Sequence, residues 1–236
     1  EDYTNRGSIV TPLKDRIGSQ ILTHYPHNRQ IAKEITKQEA QAAEEQTPNI
    51  HIPELARDIL EQISFEARKS DYVDAKSGVS ARMSITAFEN LLSTAERRML
   101  ISGETKTSLR MADFLGIISA INGTIELVYE GEQEGAEQIS YYLITQAVKA
   151  LFPSYFPEVK KLEKADEEGP YDDLLGWFFK DNELFLEDTL SDKDYKKLLD
   201  NLPGVDALIK THQPDCSPED RYFLIEFLLW GLEAHK

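Results

Sequence analysis

Ile52-Pro53-Glu54-Leu55-Ala56-Arg57-Asp58-Ile59-Leu60-Glu61-Gln62-Ile63 places apolar side chains at 52, 55, 56, 59, 60 and 63. That spacing follows the period of one helix face and not the alternation of a half-buried strand. Pro53 suits a first helical turn, where its missing N–H costs nothing, and Glu54 complements the positive end of the helix dipole. A stripe this continuous must be covered, so the segment predicts a helix inside a bundle.

Reading outward, Ala81, Ile85, Phe88, Leu92, Ala95 and Met99 repeat the pattern, and Ser102-Gly103 ends it. Residues 108–122 do so again through Met111, Phe114, Leu115, Ile118 and Ile121, with Asn122-Gly123 as the stop. Upstream, residues 27–46 read as a helix rich in Ala, Glu, Gln and Lys, stopped by Thr47-Pro48. Its few apolar positions suit a surface or a contact with another subunit. Beyond Gly123, residues 124–129 fit a short strand or a helix tail, and residues 130–135 an acidic turn. A further amphipathic helix follows over 136–151, broken by Pro153 and Pro157, and then an acidic linker over 163–168. The last third carries Leu174, Leu175, Trp177, Phe178 and Phe179, then Leu184, Phe185 and Leu186. Ser217 reads as an N-cap with Pro218 at the first helical position. From Tyr222 to Leu232 the sequence is apolar almost all round, which places that helix in a core or under another chain. Nothing alternates long enough to build a large sheet, so the expected class is mainly α, a small bundle followed by a second, acidic helical region.

Composition narrows the function. The chain of 236 residues has a net charge of −16, and the charge is uneven: residues 1–110 hold 15 Lys and Arg against 16 Asp and Glu, residues 111–236 hold 11 against 26. Clustered cations are what nucleic-acid binding needs, so the second region is expected to repel such polymers. There is no apolar run near 18 residues and no secretion leader, so neither a membrane partner nor export is expected. Cys216, the only cysteine, excludes an internal disulfide and fits a reducing, cytoplasmic setting. It precedes a helix start, which would make its thiol somewhat acidic, yet no base partner is evident. His24 and His27 flank a proline that prevents a regular helix, and no third ligand is near in sequence, so no metal site is expected. His51 and His212 stand beside Pro53 and Pro214 and read as solvated loop positions.

One residue is placed against its local electrostatics. In Ser77-Gly78-Val79-Ser80-Ala81-Arg82-Met83, Ser80 is a good N-cap, which sets Arg82 in the first turn against the positive end of the dipole. That costs roughly 0.3–1 kcal/mol unless an anion is near. A guanidinium behind a glycine turn is well shaped for phosphate oxygens, although a solvated surface arginine is the plain alternative.

Arg82 has an upstream counterpart in Arg16, within Leu13-Lys14-Asp15-Arg16-Ile17 and ahead of the strand-like residues 19–26. The first stretch resembles the "LLDRF"-like arginine-finger segment of AAA+ ATPases of the magnesium-chelatase and MoxR group, and Gly78-Val79-Ser80-Ala81-Arg82 resembles their "GxSxR" sensor 2 segment. Glu1-Asp2-Tyr3-Thr4-Asn5-Arg6-Gly7 is similar to the stretch that follows the group's sensor 1 asparagine. The resemblance covers roughly the first half of the chain. It implies the end of an AAA+ core over 1–26, a helical lid over 27–129 and an added acidic helical domain over 130–236. It further implies that Arg82 contacts an ATP phosphate in its own subunit and that Arg16 acts catalytically in trans as an arginine finger. A finger in trans implies a homo-oligomeric ring, by analogy a hexamer. ATP and Mg2+ would be the cofactors of the parent protein, whose turnover would remodel a partner or drive metal insertion. The chain contains no G-x-x-x-x-G-K-[ST] loop and no strand ending in Asp-Glu, so it is expected to be inactive alone and to hold no cofactor tightly. The alternative is a non-catalytic interaction module that docks a protein partner through the aromatic C-terminal helices.

Overall fold

Ten α-helices and two strands of two residues each account for the regular structure in this computed structural model, which describes residues 15–19, 21–43, 46, 48–159, 169–187 and 189–235. In chain order these are α1 (Arg29–Glu39), β1 (Ile50–His51), α2 (Glu54–Ala67), α3 (Arg82–Ile101) and β2 (Thr107–Ser108). A 3-10 turn over Met111–Ile117 runs into α4 (Ile118–Asn122), followed by α5 (Tyr129–Glu134) and α6 (Ala136–Leu151). The remainder is α7 (Asp172–Phe178), α8 (Asp192–Asp200), α9 (Val205–His212) and α10 (Arg221–Ala234). β1 and β2 pair in parallel with His51 opposite Ser108. Among the described residues no helix is long and apolar enough to cross a membrane.

The mainly helical class follows from the period that opened the sequence. Leu55, Ala56, Ile59, Leu60 and Ile63 of α2 are all buried, and they face α6, whose Ile139, Leu143, Ile144, Ala147, Val148 and Leu151 are buried in turn. α6 also meets α4 and α10, so it lies at the centre of the molecule. Buried apolar residues form one cluster running from Ile50 to Leu232. The change near residue 130 is therefore a change of surface charge, and the core continues across it.

α10 belongs to the core: Phe223, Leu224, Ile225, Phe227, Leu228 and Leu232 are buried. Phe223 and Phe227 are thus not part of a free docking face, Tyr222 and Trp230 are half-buried, and among the described residues the exposed rings of the acidic half are Tyr129, Tyr141, Tyr142, Phe178, Phe179 and Phe185. Gly231 lets α10 close on Phe152, whose ring would overlap a Cβ at that position. Gly231→Ala is expected to destabilise the fold by about 1–3 kcal/mol in urea unfolding, the usual cost of forcing an extra carbon into a packed core. Gly176→Ala in α7, with open space around it, serves as the control and is expected to be neutral or mildly stabilising.

Other elements differ from the sequence reading for identifiable reasons. α1 packs on α2 through polar groups: Lys33 pairs with Glu54 at 2.5 Å and Asp58 at 2.9 Å, and Arg29 donates to Gln62 at 2.9 Å. A helix with few apolar positions is in this way held inside the chain. The 108–122 segment divides into a 3-10 turn and a short helix, because Asp113 turns back to accept from the Arg110 N–H. The acidic turn at 130–135 is helix α5, with Gly131 pressed against the Tyr72 backbone. Residues 21–26, expected to be strand-like, form no strand, and Ile21 and Leu22 are 86% and 84% exposed. α10 begins at Arg221, so the Ser217-Pro218 cap belongs to the turn before it, where Ser217 Oγ accepts from the Asp220 N–H at 3.1 Å. The linker at 163–168 lies outside the described residues.

Candidate functional site

The start of α3 is built by the loop before it. Asp74 O accepts from the Gly78 N–H at 3.1 Å, Asp74 Oδ1 from the Lys76 N–H at 2.9 Å, and the Ser77 hydroxyl donates to Asp74 and Glu126. Gly78 then takes φ +70°, a left-handed turn that favours glycine. Val79 is buried and Ser80 Oγ accepts from the Arg82 N–H at 3.2 Å. The N-cap position is Ala81, one residue later than the sequence predicts, and the first turn holds no acid. Arg82 is exposed, and its side chain makes no hydrogen bond, ion pair or ring contact with the described residues. A cation thus stands at the positive end of a helix of 20 residues without a counter-charge from the described residues.

Arg16 is also exposed, in a turn, and likewise makes no polar contact with the described residues. Leu13 and Lys14 of its motif lie outside them. No contact joins Arg16 to Arg82. Downstream of Arg16, Tyr25 reaches the loop before α3: its hydroxyl accepts from the Val79 N–H at 3.1 Å, and the Arg68 guanidinium lies 4.3 Å from its ring centroid. Arg68 stacks on Phe65 as well, at 5.4 Å, and donates to Val79 O at 3.4 Å, while its Nε and Nη1 are buried without a hydrogen-bond partner. Burial lowers the basicity of Arg68, against which Tyr25 and Glu61 act. Beside it, Glu61 is buried and accepts from Thr36 at 2.6 Å; burial raises its pKa, opposed by the Thr36 and Ser84 hydroxyls.

A second feature lies at the opposite end of α3. Arg98 and Asp113, 3% and 2% exposed, make two bonds of 2.9 and 2.8 Å, and Arg98 also donates to Thr107 Oγ1 at 2.9 Å and Ser108 O at 2.8 Å. Burial alone would lower the Arg98 pKa, and the Asp113 bonds more than reverse that. The Arg110 guanidinium lies 3.9 Å from the Tyr195 ring centroid, and Glu226 accepts from the Met111 N–H at 2.7 Å. Burial pushes the Glu226 carboxyl up to about 7, despite the Met111 N–H and Tyr195, and Asp113 adds to the rise. These groups bind α3, β2, the 3-10 turn, α8 and α10 together.

Above this network a recess of about 570 Å³ opens between the β1/β2 pair, α8 and α10, lined among others by His51, Arg57, Lys106, Ser108, Tyr195 and Lys196. His51, expected in a solvated loop, sits in β1 with Nε2 2.7 Å from Asp220 and Nδ1 3.4 Å from Glu219. Ser108 faces the same side in the ladder, and its Oγ has no hydrogen-bond partner. Both ring nitrogens of His51 address carboxylates, so no base is aimed at that hydroxyl and the arrangement is not a nucleophile–base pair. Cys216 departs from expectation too: burial, aided by Asp220, raises its thiol pKa. His24 and His27 stack at 4.2 Å, and among the described residues no three His, Cys, Asp or Glu side chains are grouped as a metal site.

Comparison with family models, curated proteins and solved structures returned no match to the chain. Tyr25, Arg68, the Arg98–Asp113 pair and Glu226 were not singled out by sequence. The Ser-Gly turn before α3 was a signal that something must pack close to Gly78, but its partner lies 53 residues upstream and no local pattern names it.

Proposed function

We propose that this chain is the helical lid and C-terminal portion of an AAA+ motor ATPase of the magnesium-chelatase and MoxR kind, acting on a nucleotide held by a P-loop that these 236 residues do not contain. The observation that carries the reading is Arg82, exposed and without a counter-charge among the described residues at the first position of α3, behind a glycine with positive φ. An arginine so placed fits a phosphate oxygen, since an anion would offset both its charge and the dipole end beneath it. Bound MgATP supplies the transferable γ-phosphoryl group. Arg82 holds a phosphate oxygen and so ties the bundle to the nucleotide. Arg16, equally exposed, reaches the nucleotide of an adjacent copy, which requires a ring; a hexamer follows from the resemblance.

In the protein that carries this chain together with a P-loop, Arg82→Ala and Arg16→Ala are each expected to lower ATP turnover at least tenfold with ring assembly, followed by light scattering, retained. Turnover within twofold of the unmodified protein in both variants overturns the reading. A second reading, a docking module without nucleotide chemistry, is favoured by Phe179 and Phe185, 73% and 67% exposed on the acidic half. Loss of partner capture in Phe179→Ser with unchanged turnover in Arg82→Ala would select it.

A further inference from the structure

We infer that Tyr25 and Arg68 form a clamp on the Gly78–Val79 backbone that positions Arg82, so the direction of the sensor-like arginine is set by the same N-terminal stretch that carries Arg16. The clamp itself rests on geometry alone; its bearing on nucleotide contact rests on the function proposed above.

Three contacts meet at Gly78 and Val79, on the two peptide units that flank the Val79 Cα. The Tyr25 hydroxyl takes the Val79 N–H, Arg68 Nη2 gives to the Val79 carbonyl at 3.4 Å, and Gly78 offers the space in which the Tyr25 hydroxyl sits, since a Cβ there would overlap it. Two residues on, Ser80 Oγ holds the Arg82 N–H. The path from Tyr25 to Arg82 is therefore four residues of backbone, each bonded or buried. Arg68 is committed to this arrangement at a cost, because two of its nitrogen groups are buried without acceptors. The faces of Tyr25 and Phe65 stand in for them, an attraction that strengthens where water is excluded. Removing Tyr25 from Arg68 therefore loosens both sides of the Val79 peptide together.

The clamp is also able to open. Tyr25 is 45% exposed, it precedes Pro26, and residues 21–26 carry no helix or strand that would fix them otherwise. A pull on that stretch is passed to the start of α3 through one hydroxyl and one ring face. In the proposed motor this makes Tyr25 a positioning residue: it touches neither nucleotide nor reacting atoms, and it acts through the orientation of Arg82.

The test uses the full 236-residue chain and NMR. Tyr25→Phe, which keeps the ring over Arg68 and removes the hydroxyl, is expected to raise hydrogen exchange at the Val79 amide at least tenfold and to shift the Arg82 Nε–Hε signal. Exchange at core amides of α2 and α6 is expected to stay within twofold. Gly78→Ala is expected to disturb the Arg82 signal strongly in the unmodified chain and less in the Tyr25→Phe background, where the overlap with the hydroxyl is relieved and only the positive-φ strain persists. If the Tyr25 hydroxyl did not sit against Gly78, no such dependence of one substitution on the other would be expected. Val79 exchange within twofold of the unmodified chain in Tyr25→Phe, or equal disturbance by Gly78→Ala in both backgrounds, overturns the clamp. MgATP added to the longer, P-loop-bearing protein separates the two ideas: an Arg82 signal that ignores MgATP while the Val79 and Gly78 results hold removes the nucleotide reading and leaves the clamp standing.

Discussion

Asp113→Ala is expected to lower the unfolding free energy by about 3–5 kcal/mol, measured by urea unfolding at neutral pH. The carboxylate accepts both Arg98 bonds and, through Oδ2, the Arg110 N–H at 2.8 Å. Taking it away leaves a guanidinium 3% exposed with Thr107 Oγ1 and the Ser108 carbonyl as its hydrogen-bond partners and no carboxylate bonded to it, Glu226 acting on it only through space. That is the costly way to break a buried pair, since the remaining ion keeps its desolvation penalty and loses the attraction that offset it. Asp113→Asn should cost less, because an amide oxygen still serves the Arg110 N–H. Replacing both partners, Arg98→Met with Asp113→Leu, is expected to restore most of the loss, as neither member of the pair is then left buried without the other. A loss under about 1 kcal/mol in Asp113→Ala would mean that Arg98 finds water or another acceptor, and that α3, β2 and the 3-10 turn are held by apolar packing alone.

That network shows where local sequence stops informing. The helices α2, α3 and α6 were legible because each carries its own apolar period, and α10 because it is apolar almost all round; burial by any partner satisfies them. α8 and α9 went unread: α8 is capped by Ser191, which accepts from the Asp194 N–H, but Asp192-Lys193-Asp194-Tyr195-Lys196-Lys197-Leu198-Leu199-Asp200 buries Tyr195 and Leu199 only. With two buried anchors in nine residues, the period is too short to stand out against the charges. The buried charges were invisible for a different reason. Arg98 and Asp113 are 15 residues apart and Glu226 meets Met111 across 115, so only the folded chain brings them together. Arg82 and Arg16 had a motif to announce them, while Tyr25, between His24 and Pro26, has none. Its role depends on Gly78, and a glycine reveals the need for a close neighbour without naming it.

Glu226→Gln is expected to alter how stability responds to pH more than any other single change. In the folded chain the carboxyl is raised to about 7 from an ordinary 4.5, so between these values the folded state binds a proton that the unfolded state releases. Stability contributed by this group is full below about 4.5 and is lost as the pH rises through about 7. Over that window the difference amounts to about 3 kcal/mol. The groups facing it are the Met111 N–H and Asp113 from the 3-10 turn, Arg110 just before that turn, Arg98 from α3 and Tyr195 from α8. Arg110 stays charged throughout, and Tyr195, held well above its ordinary value by burial and then by Glu226, stays neutral. Glutamine keeps an oxygen for the Met111 N–H and has no proton to lose. Urea unfolding at pH 5 and pH 8 should therefore show the unmodified chain losing about 2–3 kcal/mol more than Glu226→Gln across the interval. Glu61, also raised by burial, and His235, lowered by burial, contribute to the slope of both proteins and cancel in the comparison. Parallel pH profiles for the two would mean that Glu226 is already ionised at pH 5, its charge carried by Arg110 across the core, and the carboxylate would then be the anchor that draws α10 onto the 3-10 turn at every pH.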